Sequence, residues 1–268
     1  MSVRLVLSDV DGTLLTSDKT LAPSTLEAVA RLEAAGVAFA LTSSRPPRGL
    51  AALVAPLRLR LPLGAFNGGM MVTPDLAVEF EAAIEDRHVG PIVEDLLARG
   101  LSVWVYQGSR DWYVLDREGP HVEREVHAVG FEPVVLDSFE GLRGDVVKVV
   151  GVSDDPVRVA GAEASVRERV GESVSATRSQ AYYLDVTDSR AHKGAVVRYL
   201  SDHLGVPVTD IATVGDGGND VDMFAVSGVS VAMGNATDEV RSAATHVTTS
   251  HDDDGFAGAI ETILALRG

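Results

Sequence analysis

The sequence contains no cysteine, which excludes disulfides, catalytic thiolates and zinc sites that depend on thiolate ligands. It also lacks any run of about 20 apolar residues, so no membrane-spanning helix is expected. Basic residues are few, with 23 Lys and Arg against 39 Asp and Glu, and the formal net charge is −16. A chain of this charge repels a phosphate backbone, so nucleic acid is not an expected partner.

Hydrophobic residues, by contrast, make up 46% of the 268 residues. This content is enough for a sizeable core, and the length suits one large domain or two unequal ones. The first four residues lead straight into an apolar run, without the charged and apolar regions of a signal peptide, so we expect a cytoplasmic protein. An acidic protein that binds an anionic substrate would need local positive charge in its site.

Apolar runs alternate with helical periodicity at both ends of the chain. Runs that begin at Leu5, Val37 and Leu63 are separated by helical patterns, and the same rhythm returns after Ala191 with a strand near Ile211. This pattern predicts the α/β class, with a doubly wound, mostly parallel, Rossmann-like sheet. In such sheets ligands bind beyond the carboxyl ends of the strands.

The middle of the chain follows a different pattern. Strand pairs such as 101–106 and 112–115 alternate with two helical segments, which predicts an α+β fold with an antiparallel sheet. We therefore expect a discontinuous core domain of residues 1–80 and 188–268, with an inserted α+β domain of residues 81–187.

Two aspartates stand directly after the first predicted strand. Asp9 and Asp11 are two residues apart, so they can face the same point, and Gly12 allows a sharp turn. Two carboxylates at one point repel each other unless a proton, a basic side chain or a divalent cation lies between them. An ordinary polar turn is the alternative interpretation of this stretch alone.

A second acidic loop, Gly215–Asp220, also follows an apolar run. Asp9 and Asp216 at neighbouring strand ends would form an oxygen-only site, which favours Mg²⁺ over Zn²⁺; a metal-free acidic turn is the alternative. Lys193 stands where a helix begins, a position that disfavours positive charge, so either it neutralises an anion or it is a surface lysine. Arg45, after three hydroxyl residues, suits a phosphate, and a polar loop is the alternative.

Together these stretches resemble the haloacid dehalogenase-like hydrolase superfamily. Residues 9–14 match its first motif, Asp-x-Asp-Gly-Thr-Leu, and residues 41–46, 193–194 and 215–220 resemble the second, third and fourth motifs. The long insert is similar to the cap domain of the Cof-type, C2-capped branch. The resemblance implies a Mg²⁺-dependent phosphatase of small phosphorylated metabolites, including sugar phosphates.

The resemblance also implies a role for each matching residue. Asp9 would be the nucleophile that forms an aspartyl-phosphate, and Asp11 would be the general acid and base, with a pKa raised by the Asp9 charge and by exclusion of water. The implied Mg²⁺ ligands are Asp9, Asp11 through its backbone carbonyl, and Asp216, with Asp220 in support. The implied phosphate-binding residues are Ser43, Lys193 and Asn219, with Arg45 as a possible substrate contact.

Three questions stay open at this level. Ser44 replaces the glycine usual in the second motif, so Thr42 is an alternative to Ser43 as the phosphate-binding hydroxyl. A phosphotransferase or phosphomutase would use the same aspartate, and a non-catalytic metabolite sensor would have no need of the acid Asp11. The oligomeric state cannot be read from the sequence.

Overall fold

The computed structural model describes residues 2–109 and 111–267. The described strands are β1 (Leu5–Ser8), β2 (Ala38–Leu41), β3 (Leu63–Ala65), β4 (Met70–Val72), β5 (Val78–Glu81), β6 (Ser102–Gln107), β7 (Asp111–Val114), β8 (Val134–Val135), β9 (Val146–Val152), β10 (Val174–Gln180), β11 (Tyr183–Asp188), β12 (Ile211–Gly215), β13 (Val229–Ala232) and β14 (His246–Val247). The described α-helices are α1 (Pro23–Ala34), α2 (Ala51–Val54), α3 (Asp86–Ala98), α4 (Val122–Val129), α5 (Pro156–Val170), α6 (Lys193–Leu204), α7 (Val221–Phe224), α8 (Asp238–Ala243) and α9 (Gly255–Ala265).

The core sheet has the strand order β14-β13-β12-β1-β2, and all of its pairs are parallel. Alternate residues of β1 enter different cores: Val6 packs in the cluster that includes α1 and α9, whereas Leu5 and Leu7 pack with α6 and α7. Helices therefore cover both faces, as a parallel sheet of continuously apolar strands requires. The predicted doubly wound α/β fold is confirmed.

The strand order brings three loops to one edge of the sheet. β1 lies between β12 and β2, and Ser8 is level with Val214 on one side and Leu41 on the other. The loops that follow these three strands therefore start side by side. β3 differs from the expected parallel strand: one bridge, Thr42 to Gly64, joins it to β2, and it otherwise forms an antiparallel sheet with β4 and β5.

A second sheet has the order β10-β11-β9-β6-β7-β8 and is antiparallel except for the pair β7 and β8. One of its faces packs against α3 and α5, and the other carries Trp104, Tyr106 and Trp112, which pack in one cluster with residues of α4. The added antiparallel cap is confirmed, whereas the exact domain boundaries stay a prediction. The helix α4 and the strand β8 were not predicted from the sequence.

The cap contacts the core beside the loops at the strand ends. The guanidinium of Arg48, in the segment after β2, lies 4.1 Å from the ring centre of Phe131, which follows α4. The ring centres of Phe66, after β3, and Tyr106, on β6, are 5.4 Å apart. Of the helices in the described part of the chain, none is both long and apolar enough to cross a bilayer.

Candidate active site

Three carboxylates from two separate loops meet at the end of the core sheet. Asp9 follows β1 directly, and Asp216 and Asp220 belong to the loop after β12. One oxygen of each lies within 4.8 Å of the corresponding oxygens of the other two. The parallel pairing of β1 with β12 thus brings together Asp9 and Asp216, which are far apart in the sequence.

Lys193 lies between two of these carboxylates. Its Nζ donates to Asp9 Oδ1 at 2.6 Å and to Asp220 Oδ1 at 2.5 Å, and the residue is 1% exposed. Burial lowers the pKa of Lys193, but the charges of Asp220 and Asp9 outweigh that effect and raise it. The ammonium is therefore charged, and its two partners explain why a lysine stands at the first residue of α6.

Asp220 organises the loop in which it lies. Its Oδ2 accepts hydrogen bonds from the backbone N–H groups of Asp216 and Gly217, both at 2.8 Å, while its Oδ1 accepts from Lys193. Asp220 is fully buried. Both carboxylate oxygens of Asp220 thus hold the loop and the lysine, and the supporting role that the resemblance implies for Asp220 stays a prediction.

Asp216 is oriented by neighbours that the sequence interpretation did not select. Thr13 Oγ1 donates to Asp216 Oδ1 at 3.1 Å, and Asn235 Nδ2 donates to Asp216 Oδ2 at 3.1 Å and to the Gly12 carbonyl at 2.9 Å. Asn235 follows β13, so the same signal that pointed to the other loops, a polar residue just after a parallel strand, could have identified it.

The carboxylates outnumber the cation in this cluster. Three aspartates surround one lysine, and burial together with neighbouring carboxylates raises the pKa of Asp9 and raises that of Asp216 to about 6. An excess of buried negative charge calls for a further cation, and carboxylate oxygens are the ligands that hard divalent cations prefer. The residues present therefore fit a divalent metal ion.

Asp11 is held away from this cluster by two basic side chains. Arg45 donates from Nε to Oδ2 at 2.6 Å and from Nη2 to Oδ1 at 2.7 Å, and Lys19 Nζ donates to Oδ1 at 2.8 Å. Burial raises the pKa of Asp11, but Arg45 and Lys19 outweigh burial and lower it overall. The expectation of a raised pKa was wrong, because it considered Asp9 and the cap but not these two cations.

The predicted phosphate-binding residues lie around the same carboxyl ends of the core strands. Ser43 is buried, and its Oγ accepts from the backbone N–H of Arg45 at 3.2 Å. Thr42 Oγ1, also buried, lies near Gly64 on β3 and has no hydrogen-bond partner in the residues that the structure describes. These contacts favour Ser43, whose place as a phosphate ligand stays a prediction.

Asn219 and Arg45 have protein partners in this structure. Asn219 Nδ2 donates to Asn67 Oδ1 at 2.9 Å, which links the loop after β12 to the turn after β3. Arg45 Nη1 donates to the Gly49 carbonyl at 3.2 Å in addition to its two bonds to Asp11. Contacts of Asn219 with phosphate and of Arg45 with substrate stay predictions.

The fold and the site together define an α/β enzyme with a carboxylate-rich centre beneath a cap. A family model of haloacid dehalogenase-like hydrolases matches residues 6–260. The chain belongs to this family, which confirms the resemblance noted from the motifs.

Named relatives and a solved structure agree with this assignment. A Haemophilus influenzae protein, named provisionally as a phosphatase, is 32% identical over 263 residues, which cover 97% of this chain and 98% of the relative. A Bacillus subtilis 5-amino-6-(5-phospho-D-ribitylamino)uracil phosphatase is 25% identical over 98% of this chain and 99% of its own length. The crystal structure of a Bacteroides thetaiotaomicron haloacid dehalogenase-like hydrolase matches with a TM-score of 0.88 and 26% identity over 97% of this chain and 99% of that one. The predicted enzyme class, a phosphoric monoester hydrolase, is confirmed.

Proposed function

We propose that the protein is a Mg²⁺-dependent phosphatase that hydrolyses phosphate monoesters of small metabolites through an aspartyl-phosphate on Asp9. The observation that supports this proposal is the placement of Asp9. Its carboxylate is buried against Lys193, beside Asp216 and at the end of a parallel strand that faces a cap. A buried carboxylate with one fixed oxygen is suited to nucleophilic attack.

The reaction proceeds in two displacements. Asp9 attacks phosphorus through a carboxylate oxygen, the bond from phosphorus to the ester oxygen breaks, and Asp11 gives its proton to the leaving alcohol. Asp11 then takes a proton from water, the water oxygen attacks phosphorus, and inorganic phosphate leaves as the Asp9 carboxylate is restored. Because Arg45 and Lys19 favour the ionised form of Asp11, Asp11 must give up at least one of these contacts and take up a proton from solvent before the first displacement.

The charged groups of the site have complementary tasks. Asp9, Asp216 and the Asp11 backbone carbonyl would hold Mg²⁺, which when bound offsets the repulsion between carboxylate and phosphate and orients the phosphoryl group. Lys193 fixes Asp9 and supplies positive charge toward the phosphoryl oxygens, and the Ser43 hydroxyl donates a hydrogen bond to them. Asp220 keeps Lys193 and the metal-binding loop in place.

The proposed substrates are small phosphorylated metabolites such as sugar phosphates. This class is supported by the names of relatives, one of which acts on a phosphorylated ribitylaminouracil. A phosphotransferase or phosphomutase is the second candidate, because transfer from the aspartyl-phosphate to an alcohol needs the same aspartate and differs only in the exclusion of water.

Phosphate release from p-nitrophenyl phosphate tests the proposal. We expect turnover with Mg²⁺, none after chelation by EDTA, and recovery when Mg²⁺ is added back. Asp9→Asn should abolish turnover, whereas Asp18→Asn, at an exposed aspartate of the same loop, should not. Unchanged turnover of the Asp9→Asn variant would show that Asp9 is not the nucleophile. Release that needs an added sugar bisphosphate would favour the mutase.

A further inference from the structure

The turn after β3 has a strained backbone conformation. Phe66, Asn67 and Gly68 follow one another with φ of +50°, +58° and +91°, all in the left-handed region. Glycine adopts this region freely and asparagine is tolerated there, whereas a bulky residue such as phenylalanine is strained. Strain of this kind persists only where the surrounding structure imposes it, and it is concentrated at functional sites. The surroundings of the turn therefore indicate what it does.

Packing holds the turn between the cap and the core. Phe66 is 1% exposed, and the centre of its ring lies 5.4 Å from that of Tyr106 on β6. At Gly68 the backbone passes so close to the start of α6 that a Cβ would lie 2.8 Å from the His192 carbonyl oxygen. His192 directly precedes Lys193, so the turn lies against the segment that carries the lysine of the site.

The turn is also bonded to the segment that carries Ser43. The backbone N–H of Asn67 donates to the Ser43 carbonyl at 2.8 Å, and that of Phe66 donates to the Arg45 carbonyl at 3.0 Å. In the other direction, the Ser43 backbone N–H donates to the Gly64 carbonyl on β3 at 2.8 Å. These three bonds fix the loop after β2 against the end of β3.

The side chain of Asn67 reaches the loop after β12. Its Oδ1 accepts a hydrogen bond from Asn219 Nδ2 at 2.9 Å. A side-chain amide donates only through its nitrogen and accepts only through its oxygen, and a half-turn of the group exchanges the two. Because Asn67 Oδ1 can only accept, it selects the orientation in which the nitrogen of Asn219 faces it. The second N–H of that nitrogen makes no bond within the part of the chain that the structure describes, so it is available as a donor.

We propose that Asn67 is a positioning residue for phosphate binding, which orients the Asn219 amide so that an N–H meets the phosphoryl oxygens. This inference rests on the proposed phosphatase function, in which Ser43, Lys193 and Asn219 bind the phosphoryl group. The oxygens of a phosphate dianion only accept hydrogen bonds, so the opposite orientation of the amide would repel them. The strained turn contacts the segments of all three phosphate-binding residues and thereby sets their relative positions.

Substitution by glycine separates the side chain of Asn67 from the turn. In Asn67→Gly the backbone keeps its conformation and its bond to Ser43, because glycine adopts φ +58° without strain, and only the contact with Asn219 is lost. The binding of inorganic phosphate in the presence of Mg²⁺ is measured by calorimetric titration. We expect the dissociation constant to rise by about 2- to 12-fold, because binding must then immobilise the Asn219 side chain.

Kinetics with p-nitrophenyl phosphate distinguish positioning from general damage to the site. We expect KM to rise with the dissociation constant while kcat stays within about twofold, since the loss of binding that is equal in the ground and transition states raises KM alone. Arg58→Gly is the matched control, because Arg58 also has a left-handed backbone, with φ +51°, and its side chain is 76% exposed. This variant should leave KM and the dissociation constant unchanged.

A double-mutant cycle tests whether Asn67 acts through Asn219. Asn219→Ala removes the donor, so Asn67→Gly should have no further effect on phosphate affinity in that background. The inference is overturned if the two losses add, if either single substitution leaves phosphate affinity unchanged, or if wild type binds no phosphate. A fall in kcat as large as the rise in KM would also overturn it.

Phosphate binding needs no turnover, so the failure of this inference can be distinguished from that of the proposed function. Coupling between Asn67 and Asn219 in the cycle supports the positioning role even if Asp9→Asn retains turnover. Additive losses reject the positioning role even if Asp9 proves essential.

Discussion

Replacement of Lys193 by methionine should destabilise the protein strongly. The change preserves the length and the packing of the side chain but removes the one ammonium that lies between Asp9 and Asp220. Loss of one partner from a buried ion pair leaves the other charge uncompensated, which costs about 3–5 kcal/mol. At about 2–4 °C per kcal/mol for a chain of this size, the melting temperature should fall by roughly 6–20 °C.

The loss should depend on pH in a defined direction. Since the pKa of Lys193 is raised by its carboxylate partners, the contribution of the pair is complete at neutral pH and disappears only as pH rises through that higher pKa. In Lys193→Met the carboxylates can take up protons as pH falls, so the difference from wild type should be larger at pH 8 than at pH 5. Added Mg²⁺ should reduce the difference, because it restores positive charge.

Thermal unfolding followed by circular dichroism measures this effect. Lys19→Met is the control, because Lys19 also pairs with an aspartate but its side chain is 43% exposed. An exposed pair contributes about 0–1 kcal/mol, so this variant should melt close to wild type. Equal and small shifts in the two variants would refute the conclusion that burial makes the Lys193 contacts strong.

Two further substitutions test the first loop. Arg45→Gln should destabilise the protein at pH 7 by about 1.5–3 kcal/mol, the range for hydrogen bonds to charged groups. Because Arg45 lowers the pKa of Asp11, this loss of stability should vanish as pH falls through that pKa. Thermal unfolding at several pH values measures it, and a loss of stability that persists in acid would contradict the assignment. Gly12→Ala should impair Mg²⁺ binding, measured by calorimetry, because Gly12 has φ +79° and a Cβ would lie 2.3 Å from Asp216 Oδ2. Gly36→Ala, with φ +68° and nothing within 4 Å of a Cβ, should leave Mg²⁺ binding intact.

Elements with a strong local signal were predictable from the sequence. The strands expected to begin at Leu5, Val37, Leu63 and near Ile211 start within one residue of those positions, and α6 begins at Lys193 as expected, because apolar periodicity marks these segments. The helix α4 was missed although Val122, Val126 and Val129 follow helical spacing, because it has only eight residues and no side-chain cap marks its start. Its place is decided by packing between the cap sheet and the core.

The partner of Arg45 illustrates what a linear motif cannot show. Its position after a strand suggested a substrate contact, yet its guanidinium binds Asp11, 34 residues earlier. This pairing depends on the adjacency of β1 and β2 and on the course of the segment after β2. The reversed direction of the pKa shift of Asp11 follows from that geometry.

The amino-acid sequence by itself determined the α/β class and the acidic loops at strand ends, because backbone preferences and apolar periodicity act over a few residues. It also identified Lys193 as misplaced for a helix start. Only the tertiary structure decided which charges meet. Lys19 and Asp11 are 8 positions apart in the sequence, whereas Lys193 and Asp9 are 184 positions apart, and both pairs are in contact. Electrostatic interactions depend on distance in space rather than along the chain.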